Sequence, residues 1–157
     1  MEKQKISFFD QRTIEWDDDT NAVRLIDQTL LPTELVFMEC RKVKELVTSI
    51  KTMRIRGAPA LGVAGAMGVA LAVKAATNSG NLDLLEAIAG DAESLKEARP
   101  TAVNLSWGVE RALAFLKDHS RGGENENTFR KLVGFVKALA DEDVETNKKL
   151  SEIGQVL

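Results

Sequence analysis

The chain has 157 residues, enough to bury one sizeable core, and its 44% apolar and 29% charged residues are ordinary globular usage, against disorder or a membrane-dominated chain. A formal net charge of −3, no tyrosine and no basic stripe with interleaved aromatics argue against a nucleic-acid footprint. Cys40 is the single cysteine, which excludes an internal disulfide, and Met1-Glu2-Lys3-Gln4-Lys5 leads into no long apolar segment, so a cytoplasmic location is expected.

The first part reads as strands. Arg12–Trp16 precedes the turn formers Asp17-Asp18-Asp19-Thr20-Asn21, and Ala22–Ile26 follows with β-branched residues, which predicts a hairpin. Leu35–Cys40 adds a third strand. The acidic run lacks the spaced ligands of a calcium loop and reads as a solvated turn. From Arg41 the period becomes helical, with Val43, Leu46, Val47 and Ile50 on one face. A second helix runs from Pro59 to about Ala76. It is apolar and alanine-dominated, broken by Gly62, Gly65 and Gly68, and reads as a buried helix, not a membrane span. Its glycines imply that something approaches closely, either a helix or a ligand, with helix packing expected at Gly65 and Gly68.

Ser79-Gly80-Asn81 ends that helix, and Leu84, Leu85, Ile88, Ala92 and Leu95 line the next. A fourth is read as opened by Pro100, burying Ala102, Leu105, Val109, Ala112, Leu113 and Leu116, with Asn104, Trp107 and Arg111 on another face. Trp107 is expected as partial core and Asn104 as helix surface, Asn104 having a second possible role as a ligand near Arg99. After a loop at Arg121–Asn125, a last helix from about Thr128 carries Phe129, Leu132, Val133, Val136, Leu139, Ala140 and Val144, continued by Leu150 and Ile153. His119 has no cysteine or histidine partner and Cys40 ends a strand, so both read as structural. The expected class is α+β: an antiparallel β subdomain over residues 1–40 and a helical subdomain over 41–157, together one domain.

Two motifs carry chemistry. In Ile55-Arg56-Gly57-Ala58-Pro59-Ala60-Leu61-Gly62, a proline that can only begin a helix follows an arginine and a glycine. Unpartnered N–H groups at Gly57 and Ala58 would then stand at the positive end of a helix dipole, a place for an anion such as phosphate, with Arg56 able to clamp it. Ala98-Arg99-Pro100-Thr101-Ala102-Val103-Asn104-Leu105 repeats the arginine–proline step. Two such arginines suggest one shared anion; the plainer alternative is two loop arginines pointing into solvent.

With Leu25-Ile26-Asp27-Gln28-Thr29-Leu30-Leu31-Pro32 ahead of them and Trp107 behind, these motifs resemble, in order and spacing, the amino-terminal half of the methylthioribose-1-phosphate isomerase family. The likeness runs from about Arg12 to the end. It implies an aldose–ketose isomerisation in methionine salvage, with substrate contacts at Arg56, Gly57, Ala58 and Arg99. It also implies a phosphorylated sugar as partner, no cofactor, no metal, no nucleic acid or membrane, and a homodimer at full length. Leu61 departs from the family's more usual isoleucine, a volume-conserving change. The family's catalytic cysteine, in a Cys-Asn-Ala-Gly type segment, and its catalytic aspartate fall beyond Leu157, in a Rossmann-like domain. The resemblance therefore places no catalytic residue in this chain and implies that it is inactive alone. Two alternatives stand beside it. One is a regulatory-subunit scaffold of the initiation factor 2B superfamily, which would have no need of two anion-facing arginines. The other is a ribose-1,5-bisphosphate isomerase.

Overall fold

The structure is a computed structural model that describes residues 11–120 and 123–155. Three strands come first: β1 (Ile14–Asp17), β2 (Ala22–Ile26) and β3 (Phe37–Cys40), antiparallel in the order β1-β2-β3. Trp16 pairs with Val23 and Val23 with Cys40, while Ile14 pairs with Leu25. Strand alternation sends these five side chains to one buried face. The hairpin turn is set by Asp17, whose Oδ1 accepts the N–H groups of Asp19 (2.9 Å) and Thr20 (3.1 Å). The acidic run is thus a turn, with Asp18 and Asp19 exposed between half-buried Asp17 and Thr20. β3 starts two residues later than Leu35, and one step past the end of its ladder with β2 the Asp27 N–H still donates to the Val36 carbonyl (2.9 Å).

Five helices follow: α1 (Val43–Lys51), α2 (Ala58–Asn78), α3 (Leu84–Glu97), α4 (Val103–His119) and α5 (Asn125–Gly154). α2 is apolar around its whole circumference, which is stable only with neighbours on all sides. It packs against α1, α3, α4, α5 and the sheet. It is also long and apolar enough to cross a bilayer, yet 78% of its most apolar stretch is buried inside this fold. One hydrophobic cluster takes in side chains from the sheet and all five helices.

The glycines of α2 are contact points. A Cβ on Gly65 would strike the Leu105 carbonyl of α4, and one on Gly68 would lie 2.6 Å from Leu95 of α3. Gly62 faces the Asn104 carbonyl and the Trp107 ring, and Gly108 of α4 sits directly on the Gly62 backbone. The close approach is to helices at all three α2 positions. The sheet is tied to the bundle by Trp16, edge-on to Phe129 of α5 at 6.1 Å, and by Lys74, which donates to the Asn21 carbonyl at 2.7 Å. Lys137 pairs with Asp18, and Arg12 with Asp141 at 2.7 Å.

Several boundaries differ from the sequence reading. Pro59 is the second residue of α2, after Ala58. Pro100 does not open α4. It lies in a turn closed by Ala102 N–H to Arg99 O (2.9 Å), at the position where proline's fixed φ suits a turn, and the helix begins at Val103. α5 begins at Asn125, three residues before Thr128: the Thr128 N–H reaches Glu124 O, and the Asn125 side chain donates to the Asn81 carbonyl at 2.5 Å. Leu150 and Ile153 continue the helix but not the core, standing 62% and 63% exposed. Arg121 and Gly122 of the expected loop, and Val156 and Leu157, lie outside the described residues, as do residues 1–10.

Candidate anion site at the start of α2

Gly57 is the N-cap of α2, with φ +98°, a backbone conformation that L side chains rarely adopt. The first intrahelical bond runs from Leu61 N–H to Gly57 O (2.9 Å). Ahead of it Pro59 has no N–H, and those of Ala58 and Ala60 have no intrahelical partner by construction. No acidic residue occupies the first turn, so the helix's positive end is not neutralised from within.

The approach to this end is braced by the Leu25–Pro32 segment, a role the sequence reading did not assign. Asp27 is buried, and its Oδ1 accepts from Thr29 N–H (3.0 Å) and Thr29 Oγ1 (2.6 Å). Its Oδ2 lies 3.7 Å from Arg54 Nε. Gln28 donates its N–H to Arg54 O (2.8 Å) and its side-chain amide to Arg56 O (3.4 Å). The Asp-x-Thr spacing was the available signal for the local turn; its partners lie 27 residues downstream in sequence and have no local signature.

The other wall comes from α4. The Gly62–Gly108 contact brings the start of α4 against the start of α2, and the Arg99–Ala102 turn then carries Arg99 to the same place. Gly57, Ala58, Leu61, Arg99, Thr101 and Asn104 line one hollow of about 330 Å³. Of the four predicted substrate contacts, Gly57, Ala58 and Arg99 are therefore together. Arg56 is exposed, one residue ahead of the hollow, and is not part of its lining. Neither arginine makes an ion pair among the described residues. Asn104 lines the hollow from the first turn of α4. Trp107, 46% exposed, packs one edge on Gly62, with the Arg111 guanidinium 5.2 Å from its ring centroid.

The remaining reactive groups are structural. Cys40 is buried, 3.7 Å from Ser49 Oγ, and burial pushes its thiol up, away from the reactive thiolate. His119 stacks on Phe115 at 4.0 Å, with Nδ1 2.8 Å from the Phe115 carbonyl. No cluster of three or more potential metal ligands occurs among the described residues.

Comparison with known proteins agrees with the motifs. A protein from Archaeoglobus fulgidus, provisionally named methylthioribose-1-phosphate isomerase, is 46% identical over 147 residues, covering 93% of this chain and 41% of its own length. The crystal structure of 5-methylthioribose 1-phosphate isomerase from Pyrococcus horikoshii superposes with a TM-score of 0.76 at 36% identity, over 85% of this chain and 37% of that one. A crystal structure titled translation initiation factor eIF-2B, subunit delta, from A. fulgidus gives 0.73 at 43% identity, over 85% and 38%. The chain thus spans about two fifths of the relatives it matches. The profile of the Initiation factor 2 subunit family matches residues 54–157, from the α2 approach through α5, and the chain belongs to that family.

Proposed function

We propose that this chain is the amino-terminal, phosphate-binding part of an aldose–ketose isomerase that converts methylthioribose 1-phosphate to methylthioribulose 1-phosphate. The observation that carries the reading is the hollow that Gly57, Ala58 and Arg99 line together at the positive end of α2. Moving a carbonyl between neighbouring carbons requires a proton or hydride to pass between them, and that acid–base work belongs to residues outside this chain. The part played here is to hold the non-reacting phosphate, which lowers the barrier by fixing the sugar against the reacting groups. Gly57, Ala58 and Arg99 are its proposed contacts within the hollow, and Arg56, one residue ahead of the lining, is proposed to reach the phosphate from outside it.

A second reading, a subunit that acts through protein contacts, is the one the initiation-factor name of one structural neighbour suggests, and the relatives named isomerases do not favour it. A scaffold does not require an anion site, so ligand binding separates the two. Calorimetric titration of the 157-residue chain with inorganic phosphate is expected to show saturable binding. Arg99→Ala should weaken it by roughly 10- to 100-fold, the worth of a charge-assisted hydrogen-bond pair. Absence of binding, or an affinity indifferent to Arg99→Ala, would falsify the phosphate-site reading.

A further inference from the structure

A second recess, of about 230 Å³, opens beside the anion hollow. The two share Asn104, and Pro59 lines the second as Ala58 lines the first, so they are neighbours across one turn of α2. The recess has an apolar floor and a wall formed by Trp107; Glu142, Asp143 and Thr146 of α5 face it from the opposite side. No lysine or arginine lines it. Glu142 and Asp143 make no ion pair among the described residues. Thr146 Oγ1 donates to the Glu142 carbonyl (2.8 Å), which leaves the hydroxyl oxygen as an acceptor. Asn147 offers Asp143 Oδ2 a single long contact of 3.4 Å.

These groups divide the labour between the two hollows. Two carboxylates without a cation repel an anion, so a phosphate belongs in the first hollow and not here. An aromatic side chain beside two carboxylates that have one long side-chain donor between them suits a neutral ring bearing hydroxyls. Its C–H edges would lie on the indole and its O–H groups would donate to the carboxylates, with Asn104 lining both compartments. Partial burial also holds the Asp143 carboxyl above the usual carboxylate range.

We infer that this recess receives the neutral polyol part of a sugar phosphate, with Trp107 as its stacking face and Glu142 and Asp143 as its hydroxyl acceptors. The inference rests on the phosphate reading of the adjoining hollow.

The test uses the 157-residue chain with three probes: α-D-ribose 1-phosphate, inorganic phosphate and D-ribose. Calorimetry is expected to give ribose 1-phosphate at least about tenfold tighter than phosphate, and its binding should shift the indole N–H resonance of Trp107. The double variant E142A/D143A should lose that tenfold advantage while binding inorganic phosphate unchanged, since one hydrogen bond to a charged acceptor is worth about that factor. Glu142 is exposed and Asp143 half-buried on α5, and a thermal melt of the variant checks that the fold persists. Ribose 1-phosphate binding no tighter than phosphate, an unmoved Trp107 resonance, or an advantage that survives E142A/D143A would each overturn the polyol assignment. If inorganic phosphate still binds and still depends on Arg99, the phosphate reading stands without it. If no probe binds, both fail together.

Discussion

Gly57 is where a single side chain decides the most. Its φ of +98° strains any other residue, yet a Cβ there would meet nothing within 4 Å. The cost of Gly57→Ala is therefore confined to the backbone, about 1–2 kcal/mol. Urea unfolding should read that loss, and phosphate affinity should fall with it, because the new residue turns the first N–H groups away. A variant with unchanged affinity would mean that those amides do not face the guest. Asp17 shows the same economy in the hairpin. The backbone hydrogen bond from Thr20 lowers its pKa below the ordinary 3.8, and the N–H of Asp19 adds to it. A depressed carboxyl contributes stability that is present above pH 3.8 and lost as pH falls through the folded value. The wild type should thus melt above Asp17→Ala at pH 7, and the gap should narrow in acid below pH 3.8. At this scale the sequence was legible wherever proline or glycine punctuated it, as at Arg56-Gly57-Ala58-Pro59. It was silent on Asp27, whose work depends on a partner in another segment.

Among the elements, the α2–α4 pair sets the geometry of the candidate site. Gly108 rests on the Gly62 backbone, so an added methyl has no flexible neighbour to displace and must part the helices. Gly108→Ala is expected to cost about 3 kcal/mol, at or beyond the upper end of ordinary overpacking, in denaturant unfolding. Gly134→Ala, on α5 with nothing within 4 Å of the added carbon, should instead stabilise by up to about 1 kcal/mol through helix propensity. A neutral Gly108→Ala would show that the two backbones are not in contact. The helix faces and the β1–β2 hairpin were readable because apolar period and turn chemistry agreed at each segment. Pro100 was misread because a turn and a helix start use the same residue; only the Ala102 N–H to Arg99 O bond tells them apart. The glycines announced a close neighbour without saying which. Only the packed fold names α4 for Gly62 and Gly65, and α3 for Gly68.

Across the whole molecule, strands and helices share one core, and the hairpin is fastened to α2 and α5 by Lys74, Trp16 and Lys137. On the reading proposed here, binding and turnover separate cleanly. The purified 157-residue chain should hold phosphate yet produce no methylthioribulose 1-phosphate in a coupled assay. The complete isomerase should turn over, and lose most of its kcat/KM on Arg56→Ala or Arg99→Ala. Product formed by the short chain would place the acid–base pair within it.

The circumference of α2 has a further consequence. A rod walled in along its middle cannot slide or tilt without dragging the interior with it. On the phosphate reading, closure over a guest at its exposed first turn is therefore expected of other elements, with α2 as the fixed anvil.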